Sequence, residues 1–405
     1  MKKTLIELFA GVGGFRLGFE KADKSWKTLW ANQWEPGAKN QHAYNCYKKH
    51  FEKFGGLNDF SNMDINKVPS NIIPKHSLLV GGFPCQDYSV AVGTRAKGIE
   101  GKKGVLWWDI YRILKDKKTP FLLLENVDRL IRSPASQRGR DFGIILACLN
   151  KLGYFVEWRV VNAEDYGLQQ SRRRTFIFAA KKTTKYAKQL KKYHDLRKDT
   201  LFSKILPIQH FDDINVKHTG ITDDLLEVSN SFSFCFENAG IMNNSDIYTV
   251  KTIAKPKNKR KKTLATIMEK EVDDKYSLTK EIYKKFVYMK GAKKEERIAK
   301  NGFKYFYTEG PIPFPDDINR AARTLLTSEG CNNRTTHIVQ DKTTGKLRKL
   351  TPIECERIDG FPDNWTNTGM PEKYRYFCMG NALVVDLIEV IATGISSIIE
   401  EEPPV

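Results

Sequence analysis

A cysteine and a glutamate follow two apolar runs in the first third of the chain. Cys85 comes just after the run at 77–82, and Glu125 follows Phe121–Leu124. Such runs predict buried parallel strands, whose carboxyl ends meet at one edge of a sheet. A thiol and an acid at that edge suit covalent catalysis. Isolated cysteines are more often packing residues, so this interpretation depends on the surrounding motifs.

A second candidate site is the glycine turn Phe9-Ala10-Gly11-Val12-Gly13-Gly14, between a predicted strand and a predicted helix. Its glycines allow the backbone to approach a ligand, and the helix N-terminus offers free amide donors to an anionic group. About twenty residues on, a predicted strand ends at Asn32-Gln33-Trp34-Glu35. A polar side chain there suits ribose hydroxyls, and the Trp34 indole suits an adenine or a sulfonium. Asp64, at the expected end of a third strand, suits an adenine amino group.

The elements that must position these residues alternate between strand and helix from residue 1 to about 180. This alternation predicts an α/β fold with a doubly wound, mostly parallel sheet. Expected strands are Thr4–Phe9, Thr28–Asn32, Phe155–Val161 and Thr175–Ala180, besides those before Cys85 and within Phe121–Leu124.

Three segments are expected along the chain: a catalytic domain at 1–181, a smaller irregular domain at 182–345, and a C-terminal segment at 346–405 that returns to the first domain. Length favours more than one domain. In the last segment, Thr351 and Pro352 are typical of a helix N-cap and first turn, with the helix running to Ile358. Asn381–Ile399 reads as one long apolar helix.

The net charge is +19, with a pI near 9.4. Such a charge favours a polyanionic partner, and basic runs concentrate at 181–198, 255–262 and 284–304. Seven irregularly spaced cysteines indicate a reducing cytosol rather than a disulfide framework, and no spacing indicates a metal site. No run reaches the roughly 18–20 apolar residues of a membrane span. A cytoplasmic protein without a metal or a membrane partner is therefore expected.

The motifs, in their order, resemble the cytosine-C5 DNA methyltransferase family over nearly the whole chain. Besides the glycine turn and Asp64-Ile65, the resemblance is carried by the following motifs: Phe83-Pro84-Cys85-Gln86, Glu125-Asn126-Val127, Gln170-Ser171-Arg172-Arg173-Arg174, Arg348-Lys349-Leu350-Thr351-Pro352-Ile353-Glu354, Gly360-Phe361-Pro362 and Gly380-Asn381-Ala382-Leu383. The cysteine and glutamate motifs are the most specific of these, and the glycine turn is weak alone.

This resemblance implies a Rossmann-like methyltransferase that uses S-adenosylmethionine and releases S-adenosylhomocysteine. Cys85 would attack C6 of a cytosine flipped out of duplex DNA, which gives C5 the nucleophilic character it lacks. Glu125 would bond N3 and the amino group, and Arg174, with Arg172 nearby, would hold O2. The base that removes the C5 proton is not identified.

The resemblance also implies cofactor and DNA contacts. Cofactor contacts fall on Phe9, Ala10, Gly11, Gly13, Gly14, Gln33, Trp34, Asp64, Ile65, Pro84, Leu106, Asn381 and Ala382. DNA contacts fall on Phe83, Gln86, Ser89, Thr324 and Leu325. Residues 87–105 match the loop that family members close over DNA, and 182–345 matches their target-recognition domain in position only.

Three positions depart from the family pattern. Glu7 replaces the usual Asp, Ala382 replaces a Ser, and Gln33 stands where a ribose-binding Glu is usual. Gln33 is the expected ribose ligand, with Glu35 as the alternative. None of the three touches the methyl-transfer chemistry.

Two other functions stay open: a tRNA cytosine methyltransferase, which the large basic insertion disfavours, and a silent DNA-binding regulator, which the presence of Cys85, Glu125 and Arg174 disfavours. A monomer with a cognate restriction endonuclease is the expected setting. The recognition sequence is not deducible.

Overall fold

The computed structural model describes residues 1–52, 59–83, 106–190, 196–255, 262–299 and 302–403. The chain forms two compact units. The first comprises Met1–Gly167, Arg173–Lys259 and Val385–Val405, and the second comprises Leu168–Arg172 and Arg260–Val384.

The strands are β1 Thr4–Leu8, β2 Lys27–Asn32, β3 Phe60–Ser61, β4 Leu78–Gly82, β5 Phe121–Val127, β6 Tyr154–Asn162, β7 Arg173–Lys181, β8 Ile208–Phe211, β9 Lys217–Gly220, β10 Ala239–Asn243, β11 Asp246–Val250, β12 Thr252–Ala254, β13 Lys293–Ile298, β14 Lys304–Glu309, β15 Ile338–Gln340 and β16 Leu347–Lys349.

The helices are α1 Gly14–Ala22, α2 His42–Phe51, α3 Trp107–Lys117, α4 Arg140–Lys151, α5 Lys185–Gln189, α6 Leu201–Ile205, α7 Leu225–Ser231, α8 Leu264–Ile267, α9 Lys280–Lys290, α10 Pro352–Asp359, α11 Glu372–Asn381 and α12 Val385–Glu401.

The first unit is built on a sheet with the strand order β3-β2-β1-β4-β5-β7-β6-β10-β11-β9. The five strands from β3 to β5 are parallel neighbours, which confirms the predicted α/β fold. The strands β1, β4 and β5 are almost wholly buried, as expected for strands covered on both faces.

The predicted strand at Thr175–Ala180 is present as β7, but it runs antiparallel to both β5 and β6. The short connection between β6 and β7 explains this direction. Only ten residues join β6 to β7, and a parallel crossover needs a dozen or more. β7 therefore turns back between β5 and β6, which brings its first residues to the carboxyl end of β5.

The first compact unit continues beyond residue 181, where the catalytic domain was expected to end. The strands β10, β11 and β9 continue the main sheet beyond β6 by antiparallel pairing, so the first unit extends to Lys259. These strands are short, and their partners are distant in sequence. Local sequence pattern therefore carried little sign of them.

The chain returns to the first compact unit at Val385, whereas the return to the catalytic domain was expected at 346. Residues before it belong to the second unit, where Arg348 is buried and bonds Asp341 and Glu354 at 2.8 Å each. The predicted helix cap at Thr351 is confirmed: Thr351 and Glu354 form a capping box, and Pro352 opens α10.

The long C-terminal helix expected at Asn381–Ile399 is present as α12, but it begins at Val385, and Asn381 is instead the last residue of α11. As expected, the last helix packs on the first unit, against α1. The contact is close: a Cβ on Gly18 would lie 2.6 Å from Ile388 Cγ2. Trp26 Nε1 donates to Ser396 Oγ at 2.8 Å, and Lys21 pairs with Asp386 at 2.7 Å.

Among the described residues, one stretch, Glu372–Glu401, is long and apolar enough to cross a membrane by length and composition alone. Half of its most apolar window is buried inside the protein. Core helices have the same composition, and α12 is such a helix.

Candidate active site

Glu125 and Arg174 form an ion pair at the carboxyl end of β5. In the antiparallel ladder Arg174 lies opposite Val127, so it shares a face with Glu125 two residues earlier. Arg174 Nε lies 2.7 Å from Glu125 Oε1, and the two side chains are 17% and 13% exposed. The reversed direction of β7 thus brings together two of the four expected catalytic residues.

The strand that leads to Cys85 ends beside this pair. Gly82, the last residue of β4, lies opposite Glu125 in the parallel ladder, and a Cβ on Gly82 would come within 3.3 Å of Glu125 Oε2. Asn126 Nδ2 donates to the Phe83 carbonyl at 2.8 Å. Asn126 was part of a motif but not an expected site residue. It is a positioning residue, because it ties the exit of β4 to the end of β5.

Pro84, Cys85, Gln86 and Ser89, together with the expected loop at 87–105, lie outside the described residues. Phe83, the last described residue before this stretch, is buried. Leu106, the first described residue after it, precedes α3 and packs against the core. The ring of Phe83 lies 6.1 Å from that of Trp107, within the core of the first unit.

The glycine turn follows β1 in an unusual backbone conformation. Phe9, Gly11 and Gly13 have φ values of 55°, 55° and 91°, and a bulky residue at positive φ is strained. A Cβ on Gly11 would meet nothing within 4 Å, so a ligand can approach the backbone there. The Gly11 amide donates to Gln33 Oε1 at 2.8 Å, which joins the turn to the end of β2.

The remaining expected cofactor residues of the first unit lie around this turn or one strand further on. Trp34 is 37% exposed, although large apolar side chains are usually covered. Glu35 is partly buried, and this burial raises the pKa of its carboxyl. Asp64 caps a short 3-10 turn by accepting from the Asn66 amide, whereas the Ile65 side chain is buried. An open turn joined to the end of β2, where the exposed indole of Trp34 follows Gln33, can accommodate an adenosine-containing cofactor.

Glu7 is fully buried directly before the turn. Burial raises the pKa of its carboxyl to about 8, although a hydrogen bond from the Tyr47 hydroxyl at 3.1 Å and the charge of Arg16 favour the ionised form. Its ordinary pKa is 4.5, so the folded protein holds this proton more tightly than the unfolded chain.

Stability should therefore fall as pH rises from about 4.5 to about 8, at about 1.4 kcal/mol per unit of pKa difference. Glu7→Gln keeps a neutral side chain of similar size. As pH rises from 5.5 to 8.5, we expect the urea midpoint of Glu7→Gln to increase relative to that of wild type, because only wild type loses stability through Glu7. The exposed Glu227→Gln is the matched control. Parallel pH profiles for wild type and Glu7→Gln would contradict a raised pKa.

Arg172 and two of the expected DNA contacts, Thr324 and Leu325, lie in the second unit. Arg172 is buried, and its guanidinium donates to the carbonyls of Leu325 and Gly380, each at 3.3 Å. Thr324 Oγ1 donates to the Ser171 carbonyl at 2.6 Å, and the Leu325 side chain is fully buried. Arg172 therefore holds two backbone segments together, and the exposed side chain beside Thr324-Leu325 is Leu326.

Asn381 and Ala382 also belong to the second unit, at the end of α11. Asn381 is exposed. The preceding Gly380 is packed tightly, since a Cβ there would lie 2.2 Å from the Thr327 amide nitrogen. Among the described residues, no group of three or more His, Cys, Asp or Glu side chains could hold a metal ion.

The parallel half-sheet, the open glycine turn and the strand-end acid define a Rossmann-like methyltransferase. The sequence matches the C-5 cytosine-specific DNA methylase family over residues 3–397. The chain belongs to this family and is a DNA (cytosine-5-)-methyltransferase; its family uses S-adenosylmethionine.

Two curated relatives illustrate the similarity. Type II methyltransferase M.Sau3AI of Staphylococcus aureus is 49% identical, over 98% of this chain and 96% of the relative. Type II methyltransferase M.SsoII of Shigella sonnei is 27% identical, over 98% of this chain and 80% of the relative.

Solved structures share the fold at low identity. A mutant form of DNMT2 of Spodoptera frugiperda has a TM-score of 0.58 at 16% identity, over 98% of this chain and 99% of that one. Dnmt2 methyltransferase of S. pombe has a TM-score of 0.57 at 15% identity, over 98% of both chains.

Proposed function

We propose that the protein methylates C5 of a cytosine flipped out of a specific duplex DNA sequence, through a transient bond between Cys85 and C6 of the base. The observation that carries this proposal is the Glu125–Arg174 pair, 2.7 Å apart beside the end of the strand that leads to Cys85. A carboxyl group and a guanidinium on one face match the N3, amino and O2 edge of cytosine.

The reaction begins when the Cys85 thiolate forms a bond to C6 and breaks the aromaticity of the ring. The electron pair moves toward C5, while negative charge at N3 is met by a proton from Glu125. Arg174 holds O2. C5 forms a bond to the electrophilic methyl group that bound S-adenosylmethionine would supply, with S-adenosylhomocysteine as the by-product. C5 then loses its proton to a base, N3 returns its proton to Glu125, and the C6–sulfur bond breaks as Cys85 departs as the thiolate.

Base flipping follows from geometry, because C6 lies within the stack of a duplex. Extruding the base costs roughly a few kcal/mol, which contacts to the flipped nucleotide must offset. On the family resemblance, we assign Phe9–Gly14, Gln33 or Glu35, Trp34, Asp64, Asn381 and Ala382 to the cofactor, and Arg172, Thr324 and Leu325 to the surroundings of the flipped base.

The type II relatives support a role in restriction-modification, with a cognate endonuclease as partner. We propose a cytoplasmic monomer that acts on double-stranded DNA and binds no metal. Residues of the second unit would read the target sequence, and the basic runs would contact phosphates and make affinity depend on salt.

Methylation of a plasmid in vitro, followed by bisulfite sequencing, tests the function. We expect 5-methylcytosine at one short recurring sequence, and no incorporation into a matched tRNA substrate. Methylation of tRNA alone would identify a tRNA enzyme. DNA binding without methyl incorporation would identify a silent regulator.

A further inference from the structure

The hairpin of β13 and β14 in the second unit carries large apolar side chains on its surface. Six residue pairs join the strands, from Lys293 opposite Glu309 to Ile298 opposite Lys304. At about 3.4 Å per residue the ribbon is roughly 20 Å long. In the described part of the chain, these two strands pair with each other and with no third strand.

The alternation of side chains gives the ribbon two different faces. One face carries Lys294, Glu296, Ile298, Lys304, Phe306 and Thr308, all of them exposed. We call this the outer face. Ile298 is 66% exposed and Phe306 is 62% exposed. On the opposite face Arg297 stacks on Tyr307 at 3.7 Å, and Glu309 pairs with Arg334.

Two lysines and one glutamate flank the apolar side chains of the outer face. Lys294 Nζ lies 5.1 Å from the centre of the Phe306 ring, and Lys304 Nζ lies 3.3 Å from Glu296. Residues 284–304 hold eight basic and two acidic side chains. Single exposed apolar residues are ordinary, but apolar residues framed by lysines on an uncovered ribbon indicate a binding surface for an anionic partner.

The ribbon is held at its base. The Arg334 guanidinium donates to the carbonyl of Gly291 at 3.1 Å, just before β13, and to the carbonyl of Gly310, just after β14. An isolated two-stranded hairpin is marginally stable in water. The hydrogen bonds from Arg334 therefore help to fix the two ends of the ribbon relative to the rest of the unit. A fixed ribbon loses less conformational entropy on binding than a loose one.

We propose that the outer face of the β13–β14 ribbon enters the major groove of duplex DNA and contributes to sequence recognition. The major groove admits a two-stranded ribbon. Phe306 and Ile298 contact base edges, where the thymine methyl group is the apolar partner, and Lys294 and Lys304 contact backbone phosphates. This inference rests on the proposed function and names the surface that reads the target.

The test compares alanine variants in DNA binding once the wild-type recognition site has been mapped. Phe306→Ala and Ile298→Ala should each weaken binding to the cognate duplex about 10-fold, with little change on a duplex whose site is scrambled. Lys294→Ala and Lys304→Ala should weaken both duplexes alike and lower the salt slope by about 1 each. Ile214→Ala, at a 93% exposed isoleucine of the first unit, is the matched control and should change neither.

The outcomes separate this inference from the proposed function. If Phe306→Ala and Ile298→Ala keep the wild-type preference for the cognate duplex, the ribbon does not read bases, whatever the activity. If they instead alter self-association in sedimentation, the outer face contacts protein, and the proposal is overturned. If wild type methylates no duplex at all, the proposed function fails first, and this inference fails with it.

Discussion

Cys85→Ser should abolish methyl transfer, with a loss of roughly 10⁴-fold or more, while binding to the cognate duplex stays near wild type. A thiol with an ordinary pKa near 8.5 yields an appreciable thiolate fraction at neutral pH, whereas a serine hydroxyl yields essentially none. The variant keeps the size and nearly the shape of the side chain. Only the bond to C6 is lost, so turnover and binding should separate.

The measurement is incorporation of a labelled methyl group into the cognate duplex, with the dissociation constant determined in parallel. Cys235→Ser is the matched control, since Cys235 is an exposed cysteine of the first unit, and it should retain wild-type activity. Substantial methylation by Cys85→Ser would remove the proposed nucleophile.

A trapping experiment tests the same bond directly. In DNA that carries 5-fluorocytosine at the target, C5 has no proton to lose after methyl transfer, so the covalent adduct should persist. We expect a cross-linked peptide that contains Cys85, in wild type and in Cys235→Ser, and none in Cys85→Ser. A cross-link at another residue would transfer the role there.

Glu125→Gln should lower turnover by about 10²- to 10⁴-fold, the usual contribution of a positioned general acid. An amide can still bond the edge of the cytosine, but it cannot supply a proton as charge builds at N3. The variant also breaks the partly buried ion pair with Arg174, so some loss of stability should accompany it.

Single-turnover rates at a temperature well below the unfolding midpoint separate these two effects. Glu227→Gln, on the exposed face of α7, controls for the same chemical change and should match wild type. A rate for Glu125→Gln within a few-fold of wild type would remove Glu125 from the chemistry. A large loss in the rate with unchanged affinity for DNA would support the assigned role.

Short-range signals in the sequence predicted much of the catalytic half of the fold. The apolar runs before Cys85 and through Phe121–Leu124 correspond to β4 and β5, and the glycine turn opens α1 as expected. The helix N-cap at Thr351 was predicted from the same kind of local signal. These features depend on residues within a few positions of one another, where spacing and side-chain type decide the local backbone conformation.

The contact between Glu125 and Arg174 could not be predicted from the sequence alone. Both residues were expected in the site, but their contact depends on the antiparallel direction of β7 and on its register with β5. The same holds for Asn126, whose bond to the Phe83 carbonyl joins two strands about forty residues apart. Pairings at that separation leave little local pattern.

The amino-acid sequence by itself determined the family and the parallel core of the sheet, and it supplied the residues proposed as catalytic. The tertiary structure decided the limits of the two units, the reversal of β7, the break between α11 and α12, and the exposed ribbon of β13 and β14. The physical reason is the distance along the chain over which each kind of interaction acts. Periodicity and capping act within a few residues, whereas strand order and burial follow from contacts between segments that are far apart in the chain.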